Sequence, residues 1–172
     1  LKQFSREVKA ALPKLEASRP LGWSKYAITF DSTEQLKCSA TADALPMLCS
    51  PTISNVLVTK TLINDGAGLN VLSVETYETL QVLYDQLLPT KPFSGVTDGS
   101  TIPIGQIRPP VTFGKRDNYH TELINFDVAH IRLPYNAILG YPAIAKFMSA
   151  THHGYNVLKM PGSGGIITVA CD

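Results

Sequence analysis

The amino-acid sequence predicts an all-β domain, a barrel or a sandwich, interrupted by one or two short helices. Three observations carry the prediction. From about residue 44 onward, short apolar runs follow one another, separated by Gly, Pro, Asn and Asp. Hydrophobic residues make up 44% of the 172, enough for a core, while charged residues are only 17%. Within this part of the chain only two stretches carry helical spacing.

Residues 2–17 read as a short amphipathic helix, with Phe4, Val8, Leu12 and Leu15 on one face and Pro13 interrupting it. Tyr26-Ala27-Ile28-Thr29-Phe30 reads as a short strand, and residues 31–43 as polar and turn-like. Residues 1–35 are therefore expected to be a linker or helical extension, and residues 36–172 the domain itself. The expected strands are Leu45–Cys49, Ile53–Ile63, Leu69–Ser73, Ile102–Ile107, Val111–Phe113, Thr121–Val128, Ala137–Leu139, Asn156–Met160 and Ile166–Val169. The two helices are expected over Val74–Leu88 and over Pro142–Ala150, where a proline stands in the first turn. Lys115–His120 reads as a polar hairpin loop, and Pro161-Gly162-Ser163-Gly164-Gly165 as a hairpin connection.

Composition excludes several function classes. Fifteen basic and fourteen acidic residues leave a net charge of +1, no field for holding nucleic acid. No apolar run approaches the roughly 18 residues of a membrane helix. The three cysteines, Cys38, Cys49 and Cys171, match no zinc module, and an odd number suits a disulfide framework poorly. Reduced thiols in an intracellular protein, cytoplasmic or nuclear, are the expectation. The first residues do not read as a signal peptide and lack a Met, so the chain is expected to be a piece of something longer.

The segment that carries chemistry is Thr61-Leu62-Ile63-Asn64-Asp65-Gly66-Ala67-Gly68-Leu69-Asn70-Val71-Leu72. An apolar strand enters a glycine-rich bend bearing an acid, and a second apolar strand leaves it. Backbone amides around small residues can donate hydrogen bonds to a carboxylate held there. Far downstream, Ala137-Ile138-Leu139-Gly140-Tyr141-Pro142 is an apolar strand, a glycine and then a helix start.

These two signals and their spacing resemble the retropepsin family of aspartic proteases. The first element of that family is Asp-Thr-Gly-Ala, or Asp-Gly-Gly-Ala/Ser in plant elements, with Asn six positions after the catalytic Asp. The second is two apolar residues and a glycine before the C-terminal helix. The chain is similar in particular to the proteases of plant Ty3/gypsy-type retroelements. That resemblance runs through Ser50-Pro51-Thr52-Ile53-Ser54-Asn55, Gly66–Ser73, Pro92-Phe93-Ser94-Gly95-Val96-Thr97 and Val111-Thr112-Phe113-Gly114. It continues through Phe126-Asp127-Val128-Ala129, Leu133–Gly140 and Leu158-Lys159-Met160-Pro161-Gly162, covering roughly residues 20–172.

The resemblance implies a small closed β-barrel that forms a homodimer, each copy supplying one Asp. Like charges at about 3 Å do not both ionise easily, so the two acids share a proton. One then serves as base and the other as acid on the water that attacks a peptide carbonyl. The implied substrate is an extended peptide or polyprotein segment, bound by β-addition. No cofactor, metal, nucleic acid or membrane is implied. The flap hairpin falls near Phe93–Ile107, with Phe93, Gly95, Thr101 and Ile102 as substrate-facing candidates and Gly95, Gly99 and Gly105 as its bends. Ile138, Leu139 and Gly140 form the second motif.

Alignment on Gly66, Ala67 and Asn70 sets Asn64, not an acid, on the catalytic position, because Asn70 lies six residues after Asn64. An amide is neither a general base nor a partner for a shared proton. Asp65 falls one residue on, where alternation turns a side chain to the other face; it reads first as a turn residue, with the role of substitute acid as the second reading because alternation is softer in a tight turn. Tyr141, Pro109, His130 and Ala170-Cys171-Asp172 depart from the family pattern too. The expected function is thus a retropepsin-like domain impaired in catalysis. The alternative is a non-catalytic pseudoprotease kept for dimerisation or for binding a peptide or partner protein.

Other candidates fall away. His152-His153 lacks further metal ligands and reads as a surface turn. The Gly66–Gly68 bend lacks the Lys-Ser/Thr ending of a phosphate loop. No nucleophile-elbow motif supports serine chemistry.

Overall fold

A computed structural model describes residues 25–35, 45–95, 99–132 and 134–172. The helix expected over residues 2–17 lies outside the described residues, as does Cys38.

The described chain is mostly β-strand with two short α-helices. Its strands are β1 (Leu48–Cys49), β2 (Thr52–Ile53), β3 (Val56–Leu57), β4 (Thr61–Asn64), β5 (Val71–Ser73), β6 (Phe93–Ser94), β7 (Ser100–Thr101) and β8 (Gly105–Ile107). Then come β9 (Pro110–Lys115), β10 (Asn118–Leu123), β11 (Phe126–Ala129), β12 (Ala137–Gly140), β13 (Ala150–His152), β14 (Val157–Gly162) and β15 (Gly165–Ala170). The helices are α1 (Val74–Thr79) and α2 (Tyr141–Lys146).

A six-stranded sheet, ordered β1-β4-β12-β5-β11-β8, carries the centre of the molecule. The return strand β12 inserts between β4 and β5, which are consecutive in sequence; it runs parallel to β4 and antiparallel to β5. The other sheets are β10-β9-β2-β3, β13-β14-β15 and the hairpin β6-β7. None of these sheets closes on itself among the described residues, where a closed barrel was expected. The strands instead change sheet at tight corners, as at Ile124-Asn125 between β10 and β11.

Alternation along the central strands makes two apolar faces. Ile63, Leu72 and Leu139 join Phe113, Phe126 and Phe147 in the main core. Val71, Ala129 and Ile138 point the other way and form a smaller cluster, against which Leu62, Leu69 and Phe93 pack.

Several expected elements are broken or shifted for local reasons. The run 53–63 splits into β2, β3 and β4, because Ser54 (φ 55°) and Lys60 (φ 52°) take left-handed backbone at its two corners. The helix expected to reach Leu88 stops after Thr79, with Gln81 left-handed at φ 57°. A single 3₁₀ turn, Tyr84–Gln86, follows, and Tyr84 packs edge-on to the fully buried Tyr77. Likewise α2 ends at Lys146, Met148 turns at φ 49°, and Ala150 already belongs to β13.

His120 is not a loop residue but a fully buried member of β10. Its Nδ1 donates to the Pro161 carbonyl (2.8 Å) and its Nε2 lies 2.8 Å from Glu122 Oε1. Proline fits this place in β14, because the missing N–H would have had no partner across the hairpin: Pro161 lies one step from the closing pair Gly162↔Gly165.

Residues 26–30 form no strand. Their polar contacts go to a side chain rather than to a sheet edge. The Thr29 carbonyl accepts from Lys159 Nζ (2.7 Å), and the Phe30 ring lies under the same ammonium group, 5.2 Å from the ring centre. A 3₁₀ turn, Ser32–Glu34, follows, capped by Asp31, and Glu34 pairs with Lys159. Lys159, in the middle of β14, is buried by these contacts.

Candidate functional site

The parallel pairing of β4 and β12 sets Asn64 beside Gly140, so the two sequence motifs end side by side. Three hydrogen bonds then knit the bends together. Tyr141 N–H donates to the Ala67 carbonyl (2.8 Å), and Gly140 N–H to Asn70 Oδ1 (2.9 Å). The Asn70 amide nitrogen in turn donates to the Asn125 carbonyl (3.0 Å). One buried side chain thereby ties the bend, the return strand and the β10–β11 corner. The pattern of Asn six residues after position 64 is visible in the sequence; the clasp it makes is not.

The approach is close enough to require glycine at 140. A Cβ there would stand 2.5 Å from the Ala67 carbonyl oxygen and far inside contact distance of the Leu69 carbonyl oxygen. Both obstacles are backbone and cannot swing aside.

Asn64 ends β4 half-buried, and its Oδ1 accepts from Gly66 N–H (3.2 Å). The Ala67 N–H donates to the Asn64 carbonyl (3.1 Å), which closes the bend and buries the Ala67 methyl. The Asn64 amide nitrogen makes no hydrogen bond with the described residues. Asp65 turns outward: its side chain is 56% exposed and lies 3.4 Å from Nε2 of the similarly exposed His153. The bend therefore presents an amide on the inside and a solvated carboxylate on the outside. Neither the His153 contact nor the Lys159 latch was found by sequence reasoning. The one signal in the sequence that could have pointed to the second is the lone lysine in the apolar run 156–160.

The candidate flap is the hairpin β6-β7, with Phe93 paired to Thr101 and glycines in left-handed backbone at Gly95 (φ 90°) and Gly99 (φ 85°). Phe93 packs on the cluster of Val71, Ala129 and Ile138, and so on the strands that carry both bends. Ile102 is 78% exposed. Gly105 is not a bend of the hairpin. It lies in β8, where a Cβ would meet Leu87 Cβ at 2.7 Å, so its glycine serves close packing. No group of three or more His, Cys, Asp or Glu side chains among the described residues could hold a metal ion. No helix among them is long and apolar enough to cross a membrane.

A return strand inserted between two consecutive strands, with an asparagine clasp joining both bends, defines a mostly-β domain with one paired-bend centre. Its fold is retropepsin-like. The chain is similar to the retroviral protease-like domain of Ddi1 from Leishmania major, with a TM-score of 0.52 and 18% identity over 74% of this chain and 94% of that one. Weaker likenesses link it to a retropepsin-like aspartic protease from Rickettsia conorii (TM-score 0.44, 14% identity, 71% of this chain and 79% of that one). The EIAV protease complexed with the inhibitor HBY-793 is also similar (TM-score 0.48, 19% identity, 63% of this chain and 94% of that one). No family model and no curated protein sequence matches the chain.

Proposed function

We propose that the chain is a retropepsin-like domain of a plant Ty3/gypsy-type retroelement polyprotein, impaired as an aspartic endopeptidase by Asn64. The observation that carries this reading is the register of Asn64 on Gly140. In the family that the sequence resembles, the residue at this bend is the acid that each copy of a homodimer contributes. A carboxyl pair shares one proton, so one member can take a proton from water while the other gives one to the peptide carbonyl. An amide pair has no such proton to exchange. Asp65 does not supply it, because its carboxylate faces solvent beside His153 rather than the inside of the bend.

What the substitution leaves in place is the hairpin seated by Phe93 on the strands under the bends, the part of the domain that would close over a peptide. An extended peptide held between two copies, by strand addition, is the ligand this supports.

The test is restoration. The purified chain and its Asn64→Asp variant are incubated at acidic pH with a peptide library, with and without pepstatin. The expected result is no cleavage by the parent chain and pepstatin-sensitive cleavage by Asn64→Asp. Pepstatin-sensitive cleavage by the parent chain that disappears in Asp65→Asn would overturn the reading and make Asp65 the acid. A silent Asn64→Asp that binds peptide as a dimer would favour a pseudoprotease whose role is binding alone.

A further inference from the structure

We propose that Cys49 and Cys171 are a cross-strand pair that closes into a disulfide under a mild oxidant, a peroxide or oxidised glutathione, and reopens under thiols. The assignment rests on backbone register. Asp172 N–H donates to the Leu48 carbonyl (2.8 Å) and Leu48 N–H to the Asp172 carbonyl (3.3 Å). Two residues that exchange both bonds are a hydrogen-bonded antiparallel pair. One step along, Cys49 therefore stands directly opposite Cys171.

The remaining peptide groups agree. Those of Cys49 face β4, where Cys49 pairs with Thr61. Those of Cys171 face Asn156: Cys171 N–H donates to the Asn156 carbonyl (2.9 Å), and the Asn156 amide nitrogen donates to the Cys171 carbonyl (2.8 Å). Nothing of either backbone points at the other, so Cys49 and Cys171 are a non-hydrogen-bonded pair. Such pairs have Cα atoms about 4.5 Å apart and side chains on one face of the sheet. Disulfides span Cα separations of about 4.4–6.8 Å, so the thiols are within reach at the short end of the range. A bond made there reopens by thiol–disulfide exchange when a reducing thiol is supplied.

Both thiols are buried in the main core, Cys49 at 4% and Cys171 at 1% exposure, and both are free. Burial pushes the Cys49 thiol well above its ordinary value, and the charge of Cys171 adds to that. Burial likewise pushes Cys171 up to about 11. Thiolate is the reacting form, so closure is slow at neutral pH and speeds up with alkali.

With a peroxide, one thiolate attacks an oxygen, the O–O bond breaks, and a sulfenic acid and one water result. The second thiolate then attacks the sulfenic sulfur, the S–O bond breaks, and the oxygen leaves as a second water. Two thiols lose two electrons and two protons, and the peroxide takes up both. With oxidised glutathione, two exchange steps release two reduced glutathiones. The product adds a covalent tie to the two backbone bonds that hold residues 171–172 along β1.

The experiment uses the full chain carrying Cys38→Ser, so that only the proposed pair remains. Hydrogen peroxide or oxidised glutathione is added at neutral and at alkaline pH. Thiols are counted in denaturant, and intact mass and non-reduced peptide maps are recorded. The expected result is joint loss of both thiols, faster at alkaline pH, with a mass lower by two hydrogens. A linked Cys49–Cys171 peptide should appear in a monomer and vanish with dithiothreitol. Separate oxidation to sulfinic acids, stable glutathione adducts on each cysteine, or a bridge between two chains would overturn the proposal. If Cys38→Ser does not fold, the parent chain is mapped after alkylation. There a Cys49–Cys171 link with Cys38 alkylated supports the pair, and any link through Cys38 refutes it.

Discussion

Replacing Gly140 by alanine tests whether the two bends meet as tightly as their register requires. The added Cβ would stand 2.5 Å from the Ala67 carbonyl oxygen and closer still to that of Leu69, with the Leu69 carbonyl carbon 3.0 Å away. Because these atoms are backbone, relief requires parting β12 from the 67–69 segment. That strains the Gly140 N–H to Asn70 bond and the Tyr141 N–H to Ala67 bond. Overpacking of this kind costs about 2–4 kcal/mol once a buried hydrogen bond is weakened as well. For a chain of this size the melting temperature falls by about 5–15 °C. The control is Gly68→Ala, in the same bend, where a Cβ meets nothing within 4 Å. It is expected to leave stability within about 0.5 kcal/mol. Both variants are followed by urea and thermal unfolding. Equal midpoints for Gly140→Ala and the parent chain would refute the close approach and the pairing of the bends with it.

His120→Phe keeps the ring against Phe147 but leaves the Pro161 carbonyl without its donor, and is expected to cost about 1–3 kcal/mol in urea unfolding. An unchanged midpoint would refute that role. The segment 29–34 is expected to loosen in acid. The Lys159 hydrogen bond, and next the Asp31 N–H, hold Glu34 below its ordinary 4.5, and Thr33 holds Asp31 below 3.8. Carboxyls lowered in the folded state stabilise it above their ordinary values, and that stabilisation is lost as pH falls through the folded ones. Hydrogen exchange of residues 27–35 should accelerate over that acid range, and Lys159→Met should produce the same acceleration at neutral pH. Protection that persists in both would sink the latch.

The sequence made the centre of the fold readable because its constraints are local. An apolar run, a small-residue bend and a second apolar run define residues 61–72, and an apolar run, Gly and a proline-started helix define 137–146. What was not readable depends on partners distant in the chain. Nothing near His120 announces that it will be buried against Pro161, 41 residues on. Nothing in Tyr26–Phe30 distinguishes a strand from a segment gripped by Lys159, 130 residues from Thr29. The corners at Ser54 and Lys60 are hidden for another reason: neither residue type favours left-handed backbone, so position rather than composition sets them. Gly105 reads as a bend in the sequence and packs tightly in the fold, because a glycine answers equally to a turn and to a close contact.

The Asn70 clasp has a kinetic side. Its two bonds join residues 55 and 70 positions away in the chain, so neither can form until long loops have closed. A bend tied in this way cannot be assembled early by its own neighbours, and it waits for the corner at Asn125 and the strand before Tyr141 to arrive. During refolding, the amides of Gly140 and Tyr141 should become protected among the last, and in the native state they should open only when the six-stranded sheet does.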